Sequence, residues 1–190
     1  MRNLRLEMCY DGSRYRGWQR LPGAENTIQG KLEQTLTRIL GEKIEVSGSG
    51  RTDAGVHAMG QVASFHCENP MPAEEILKQL RRYLPEDIGI YSCKEAAPRF
   101  HARLNARGKT YCYRIWNSEA PCVFQRRYVA CFPERLDGEA MNRAGQQMLG
   151  EHDFAAFCAR AKVKKSTVRC ITALRVACIG NEIQITVTAD

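Results

Sequence analysis

The sequence predicts an α+β protein made of two ferredoxin-like halves, each with an antiparallel sheet. In the first half of the 190 residues, segments with a strand period and segments with a helical period follow the order β-α-β-β-α-β, which is the split unit of that fold. The second half begins the same order but reaches only β-α-β-β. We therefore expect two domains, 1–98 and 99–190, with a boundary near Pro98 and with the last helix and strand missing from the second.

The strands of the first half are predicted from residues that alternate along the chain. Leu4, Leu6 and Met8 alternate with Arg5 and Glu7, which is typical of a strand with one buried face. Three further strands are expected over residues 43–49, 61–67 and 88–94.

Two helices lie between these strands. Asn26 precedes the first helix, Gln29 follows three residues later as in a capping box, and Gly41 ends the helix. Its apolar stripe consists of Ile28, Leu32, Leu36, Ile39 and Leu40. Pro72 begins the second helix, which carries Ile76, Leu77, Leu80 and Leu84.

The second half begins with a strand over residues 109–116. Asp137 is a suitable N-cap for a helix whose apolar side consists of Met141, Ala144, Met148 and Leu149. Strands over residues 169–179 and 182–188 are joined by Gly180-Asn181, a sequence typical of tight hairpins. Since the last strand still alternates where the sequence stops, we expect the natural fold to continue beyond Asp190.

The charge of the chain favours a polyanionic partner. It has 28 Lys and Arg against 21 Asp and Glu, and a net charge of +7. The excess is grouped, which suggests a polyanion such as nucleic acid. Solvated surface charge is the simpler interpretation of any single group, and from the five groups together the two interpretations are equally good. The groups are Arg14, Arg16 and Arg20; Arg81 and Arg82; Arg99, Arg103, Arg107 and Lys109; Arg126 and Arg127; and Lys162, Lys164, Lys165 and Arg169.

The nine cysteines are scattered and include no Cys-x-x-Cys pair. That pattern is typical of reduced thiols rather than of a disulfide framework or a zinc site. No apolar run approaches the roughly 18 residues of a membrane helix, and the N-terminus lacks the apolar stretch of a secretion signal. We therefore expect a cytoplasmic protein.

One glycine-rich run, residues 50–57, carries a single carboxylate, that of Asp53. In an extended segment Arg51 and Asp53 lie on the same face, and a nearby guanidinium favours the ionised carboxylate that a nucleophile requires. The simpler alternative is a structural turn in which Asp53 accepts hydrogen bonds from backbone amides. A phosphate-binding loop would need a following Gly-Lys-Ser/Thr, and a calcium site would need more carboxylates.

The run Gly50 to His57 occurs together with other short motifs in a fixed order. These are Tyr10-Asp11-Gly12, Gly17-Trp18-Gln19, Thr27-Ile28-Gln29, Gly60-Gln61-Val62, Phe100-His101-Ala102-Arg103, Lys109-Thr110-Tyr111-Cys112-Tyr113 and His152-Asp153-Phe154. Together they resemble the tRNA pseudouridine synthase A family over nearly the whole chain. The run around Asp53 is highly specific to that family, whereas the shorter motifs are weak on their own.

The resemblance implies isomerisation of uridine to pseudouridine in the anticodon stem-loop of tRNA, at positions 38–40, without cofactor or metal. Asp53 matches the catalytic aspartate, which attacks either ribose C1′ or uracil C6. Tyr111 matches the tyrosine that packs on the target base, although a core aromatic is the simpler interpretation of that strand.

Arg51 would hold the flipped nucleotide or orient Asp53. His57 is expected to orient the loop, and Arg14 to contact RNA. The family is homodimeric, and it continues beyond the position of Asp190 with a segment whose arginine pairs with the catalytic aspartate. We therefore expect the 190-residue chain to be weakly active or inactive.

Two other functions remain open from the sequence. A non-catalytic RNA-binding module of ferredoxin-like fold would use Asp53 only to shape a turn. A small-metabolite regulatory domain of similar topology would lack phosphate contacts, so its binding would not fall steeply with salt.

Overall fold

A computed structural model describes residues 1–21, 23, 26–158 and 166–190. It confirms the α+β class, with two sheets whose strands are mainly antiparallel. The described chain divides into two compact units, Met1–Ala106 and Arg107–Asp190. Residues 99–106, which the sequence assigns to the second domain, belong to the first unit. No helix among the described residues is both long enough and apolar enough to cross a membrane.

The first unit has the predicted order of elements. The four strands lie side by side in the order β2-β3-β1-β4, and all neighbouring pairs are antiparallel. This is the strand arrangement expected of a split β-α-β-β-α-β unit. The elements are β1 (Arg2–Tyr10), α1 (Ile28–Leu40), β2 (Val46–Gly48), β3 (Ala58–Cys67), α2 (Ala73–Tyr83) and β4 (Ile88–Glu95).

One face of this sheet forms the core. Leu4, Leu6 and Met8 of β1 are fully buried, as are Leu32 and Leu36 of α1. The period of two along β1 and the helical period along α1 therefore point the predicted residues into a single core. Burial of side chains of this size stabilises the fold by about 1.5–3 kcal/mol each.

The N-terminus of α1 differs from the prediction by one residue. Thr27 is the N-cap, and its hydroxyl oxygen accepts a hydrogen bond from the Gly30 amide at 3.2 Å. Asn26 instead donates its side-chain amide to the carbonyl of Arg14, and Gln29 binds other partners, so the predicted capping box is wrong. Gly41 ends the helix in a left-handed conformation, as predicted.

The segment after β4 explains why residues 99–106 belong to the first unit. The side-chain amide of Asn3 donates to the carbonyls of Ala97 and Phe100, at 2.8 and 2.7 Å. The Ala102 amide donates to Ser64 Oγ at 3.0 Å, and Ala102 is buried. These contacts hold the segment against the strands of the first sheet.

The second unit contains the predicted β-α-β-β order together with two short strands that the sequence does not predict. Its helix ends at Gln146, so the predicted placement of Met148 and Leu149 on that helix is wrong. Asp137 caps the helix and Gly180-Asn181 forms the hairpin, as predicted. The sheet has the order β6-β5-β9-β8-β7, and its elements are β5 (Lys109–Trp116), β6 (Ala130–Cys131), α3 (Gly138–Gln146), β7 (Gly150–Asp153), β8 (Val168–Ile179) and β9 (Glu182–Ala189).

An ion pair joins β5 to β9 in this unit. Arg114 Nε donates to Glu182 Oε1 at 2.6 Å, and Nη2 donates to Oε2 at 2.7 Å. The hydrogen bond from Arg114 lowers the pKa of Glu182, whose side chain is 11% exposed. Bidentate arginine–carboxylate pairs of this kind are among the stronger polar contacts.

We expect the pair to make stability depend on pH in acid. Because the folded pKa of Glu182 is depressed, its contribution is complete above the usual value of 4.5 and is lost as pH falls through the lower folded value. Near neutral pH the free energy of unfolding of Glu182→Gln should be about 1 kcal/mol lower than that of the wild type. On acidification the free energy of unfolding of the variant should fall less than that of the wild type. Urea unfolding between pH 6 and 3 measures both, with exposed Glu139→Gln as the control. Equal pH dependence in the wild type and Glu182→Gln would contradict the prediction.

Candidate active site

Residues 49–57, here called the Asp53 loop, join β2 to β3 at one end of the first sheet. Hydrogen bonds to β3 hold the first part of the loop: the Ser49 amide donates to the Val62 carbonyl at 2.8 Å, and Gln61 Nε2 donates to the Gly50 carbonyl at 3.0 Å. The loop therefore leaves the sheet from a defined position.

Asp53 occupies the first position of a tight turn. The Val56 amide donates to the backbone carbonyl of Asp53 at 3.2 Å, and Gly55 has a φ of +79°. Glycine reaches that conformation without a steric penalty, as the third position of a type II turn requires. The turn is thus closed by backbone atoms, and its formation does not require the carboxylate.

A second segment, residues 11–20 and here called the clamp segment, holds the Asp53 loop through its backbone. The Trp18 amide donates to the Thr52 carbonyl at 3.0 Å, and the Gly55 amide donates to the Tyr15 carbonyl at 3.2 Å. These bonds lie on either side of Asp53. The position of its backbone is therefore set by the clamp segment.

The two segments approach so closely at Gly12 that a side chain would not fit. A Cβ atom on Gly12 would lie 2.0 Å from the carbonyl oxygen of Val56. Non-bonded carbon and oxygen atoms do not approach to this distance, so any other residue would force the segments apart. The glycine in Tyr10-Asp11-Gly12 is thus a requirement of packing.

His57 faces the clamp segment. Its Nδ1 lies 3.0 Å from Asp11 Oδ1 and 3.1 Å from the Gly12 nitrogen. When Nδ1 carries no proton it accepts the Gly12 N–H, and when it is protonated it donates to Asp11. Both states join the end of the Asp53 loop to the clamp segment. The role of His57 in orienting the loop for a substrate stays a prediction.

The carboxylate of Asp53 and the guanidinium of Arg51 are both exposed. Within the part of the chain that the structure describes, neither side chain forms a hydrogen bond or an ion pair. The structure therefore does not bear out the alternative in which the Asp53 carboxylate accepts backbone amides. It also places no ion pair between Arg51 and Asp53.

Arg14 has a protein partner. Its Nε and Nη2 donate to Asp87 Oδ2 at 2.9 and 2.6 Å, while the side chain stays 64% exposed. This hydrogen bond to Asp87 raises the pKa of Arg14. The contact of Arg14 with RNA stays a prediction. The pair with Asp87 would orient its guanidinium before RNA binds. Residues 162–165, part of another predicted basic group, lie outside the described residues.

Tyr111 lies on β5 in the second unit and is 57% exposed. It pairs across the sheet with Val187 of β9 and shares a face with Tyr113, which is equally exposed. The side chain is therefore not the buried core aromatic that the strand pattern alone suggested. A hollow of about 440 Å³ between α3 and β8 contains none of the predicted site residues.

Three residues that position the Asp53 loop escape detection from the sequence. Tyr15 and Trp18 are buried in the clamp segment, and Asp87, which directly precedes β4, binds that segment. The motif Gly17-Trp18-Gln19 contributes to the resemblance but does not reveal this role. No local signal marks Asp87, which lies 72 residues from Tyr15.

Comparison with known proteins is consistent with these features. The profile of a family described as tRNA pseudouridine synthase matches residues 8–105 and 144–190. Similar curated proteins include tRNA pseudouridine synthase A from Bacillus sp. (strain KSM-64), 44% identical, and proteins described as tRNA pseudouridine synthase A 2 from Bacillus cereus and Clostridium perfringens, 42% and 43% identical. Each match covers 100% of this chain and 78% of the relative.

The fold and the site define an α+β protein with a ferredoxin-like unit that presents one carboxylate on a loop held by backbone hydrogen bonds. With this degree of similarity, the chain belongs to the tRNA pseudouridine synthase family. It is therefore an enzyme of the isomerase class that forms pseudouridine in tRNA. The resemblance inferred from the sequence is confirmed.

We expect Gly12→Ala to damage the site more than the core. The Cβ of the new alanine would overlap Val56, so the free energy of unfolding should fall by about 1–3 kcal/mol. The rate of pseudouridine formation should also fall, because the Asp53 loop would be displaced. Chemical unfolding and an assay of tRNA modification measure the two effects. Gly60→Ala is the matched control, since its Cβ would meet no atom within 4 Å. Equal behaviour of the two variants would contradict the prediction.

Proposed function

We propose that Asp53 is the nucleophile for isomerisation of uridine to pseudouridine in the anticodon stem-loop of tRNA, at positions 38–40. The observation that carries this proposal is an exposed carboxylate without a protein partner among the described residues, on a turn fixed by backbone hydrogen bonds. Hydrogen bonds to a carboxylate stabilise its charge and reduce its reactivity. Asp53 combines a fixed backbone with an unengaged side chain.

The reaction is a rearrangement with no net change of atoms or electrons. In the route through ribose C1′, an Asp53 oxygen forms a bond to C1′ while the C1′–N1 bond breaks and its electron pair stays on the uracil. The base then turns, its C5 bonds to C1′, and Asp53 departs as a carboxylate. The C5 proton is lost and N1 gains one. In the alternative route an Asp53 oxygen adds to uracil C6, and the electron pair of the C5–C6 double bond moves onto the adjoining carbonyl. The sugar then moves from N1 to C5, the C5 proton is lost, and the double bond re-forms as Asp53 leaves C6 as a carboxylate.

The base must leave the RNA stack to reach Asp53, at a cost of a few kcal/mol. We expect Arg51 and Arg14 to offset that cost by binding phosphates of the flipped nucleotide or its neighbours. His57 orients the loop through Asp11 and Gly12. Tyr111 packs on the target base, because an exposed aromatic ring is suited to stacking.

The proposal includes the setting in which the enzyme works. The net charge of +7 favours RNA binding. All nine cysteines are free thiols, which together with the tRNA substrate favours the cytoplasm. We expect the natural polypeptide to act as a homodimer, without a metal or cofactor in its chemistry.

We expect Asp53→Asn to abolish turnover and to leave tRNA binding largely intact. Asparagine keeps the size of the side chain but is not a nucleophile of comparable strength. Tritium release from tRNA labelled at uridine C5 measures the bond exchange, since the label leaves when C5 bonds to C1′. Binding is measured in parallel, on the full natural polypeptide.

The control for this test is Glu45→Gln, which removes an exposed carboxylate from the same unit and should leave tritium release unchanged. If release persists in Asp53→Asn, Asp53 is not the nucleophile. If tritium release is absent even from the wild type while tRNA binding is retained, the chain acts as an RNA-binding module.

Affinity for tRNA should fall steeply with salt, because each phosphate contact releases counterions. We expect Arg51→Ala to reduce the slope of log affinity against log salt by about one. Lys43→Ala, which removes a cation that faces Glu45 at 3.7 Å, should leave the slope unchanged. Titrations at several salt concentrations measure both. An unchanged slope in Arg51→Ala would show that this guanidinium contacts no phosphate.

A further inference from the structure

Asp87 lies between α2 and β4 and is engaged by the clamp segment through four hydrogen bonds. Its Oδ2 accepts both Arg14 bonds described above, and its Oδ1 accepts the Tyr15 hydroxyl at 2.6 Å. Its backbone carbonyl accepts the Asp11 amide at 2.9 Å. The side chain is only 11% exposed. Charge-assisted bonds to a nearly buried carboxylate are strong and directional.

Tyr15 connects Asp87 to the Asp53 loop. Its side chain is 5% exposed, and burial followed by the hydrogen bond to Asp87 raises the pKa of Tyr15. The hydroxyl therefore stays protonated at neutral pH and acts as a donor to Asp87. At the other end of the same residue, the Tyr15 carbonyl accepts the Gly55 amide at 3.2 Å. A shift of Tyr15 would move the turn at Asp53.

We propose that Asp87 is a positioning residue for pseudouridine formation: it fixes Tyr15 and Arg14 of the clamp segment and thereby the backbone of Asp53. The inference rests on the proposed role of Asp53. Asp87 is not expected to touch the substrate. Through Tyr15 it sets the distance between the Asp53 carboxylate and the bound nucleotide. A displacement of about 1 Å in such a distance lowers a reaction rate by up to about a hundredfold.

The carboxylate is specifically suited to this position. All its side-chain partners are donors, so it needs acceptors on both oxygens. An asparagine would present its amide hydrogens to Arg14 or to Tyr15 and leave one of them without an acceptor. An alanine would remove all three side-chain bonds and leave the nearly buried Tyr15 hydroxyl unsatisfied.

The chain offers a matched control at the other end of β4. Glu95 accepts hydrogen bonds from Nε and Nη2 of Arg2 on a single carboxylate oxygen, just as Asp87 does from Arg14. Glu95 has no tyrosine donor and no connection to the clamp segment in the described structure. Glu95→Ala therefore shows how much the loss of an arginine–carboxylate pair at the edge of this sheet changes amide exchange by itself.

The first measurement requires no activity. In Asp87→Ala we expect hydrogen exchange of the Gly55 amide to rise about tenfold, because its acceptor is no longer held in place. The amides of β1 and α1 should exchange as in the wild type, and Glu95→Ala should leave Gly55 unchanged. Equal exchange at Gly55 in Asp87→Ala and in Glu95→Ala would overturn the inference.

The second measurement separates positioning from binding. In the full natural polypeptide, Asp87→Ala should lower kcat for tRNA about ten- to a hundredfold. Because Asp87→Ala also releases Arg14, an expected phosphate contact, the KM criterion is applied to Tyr15→Phe. Tyr15→Phe removes only the hydroxyl and leaves the Arg14 pair with Asp87, so it should also lower kcat with KM unchanged. A rise in KM alone in Tyr15→Phe would overturn the inference.

The two proposals fail in different ways. Full activity of Asp53→Asn would disprove the nucleophile, whereas the Gly55 exchange experiment would still decide whether Asp87 holds the loop. If Asp87→Ala does not fold, Tyr15→Phe gives the same two readouts in a variant that retains the buried ring. An unchanged Gly55 amide and an unchanged kcat in Tyr15→Phe would then refute the role of Asp87.

Discussion

The site depends on the backbone hydrogen bonds that hold the turn at Asp53. Turns that contain aspartate are often closed by the carboxylate itself, which accepts a nearby amide. Here the Val56 amide binds the Asp53 carbonyl, and the amides of Trp18 and Gly55 complete the attachment to the clamp segment. A carboxylate that closed its own turn would be stabilised as an anion and less reactive. Because backbone hydrogen bonds hold the turn, the Asp53 side chain remains available for chemistry.

The clamp segment can hold this turn because it is anchored in the core of the first unit. Tyr15 and Trp18 are buried in the same cluster as the strands and helices, and the Tyr10 hydroxyl at the end of β1 lies 2.8 Å from Thr52 Oγ1. On the other side, Glu33 of α1 faces Arg20 at 3.0 Å. The geometry of the loop is therefore coupled to packing of the helices on the sheet, and damage to that packing is expected to reach Asp53.

Elements that depend on neighbouring residues can be predicted from the sequence. Features that depend on contacts with residues far along the chain cannot. The order of strands and helices in the first unit is confirmed, and so is the helix end at Gly41. The strand predicted over residues 43–49 is shorter, Val46–Gly48, and Leu84 lies one residue beyond the end of α2. Asn26 and Thr27 are both good N-caps, and the choice between them is made by the Arg14 carbonyl, which binds the Asn26 amide. The two-residue strand β6 is too short to show a period. Asp87 binds partners 72 and 73 residues away, a contact that no local pattern encodes.

Arg51 and Arg14 have different electrostatic roles, although both are expected from the sequence to contact RNA. Arg51 has no ion-pair partner among the described residues, so a phosphate that binds it displaces only water and counterions. Arg14 has two of its five N–H groups committed to Asp87. Its Nη1 group remains able to donate, but in a direction set by the protein and with part of its charge compensated. We infer that Arg51 contributes more to salt-dependent affinity, whereas Arg14 contributes more to the fixed geometry of the clamp segment.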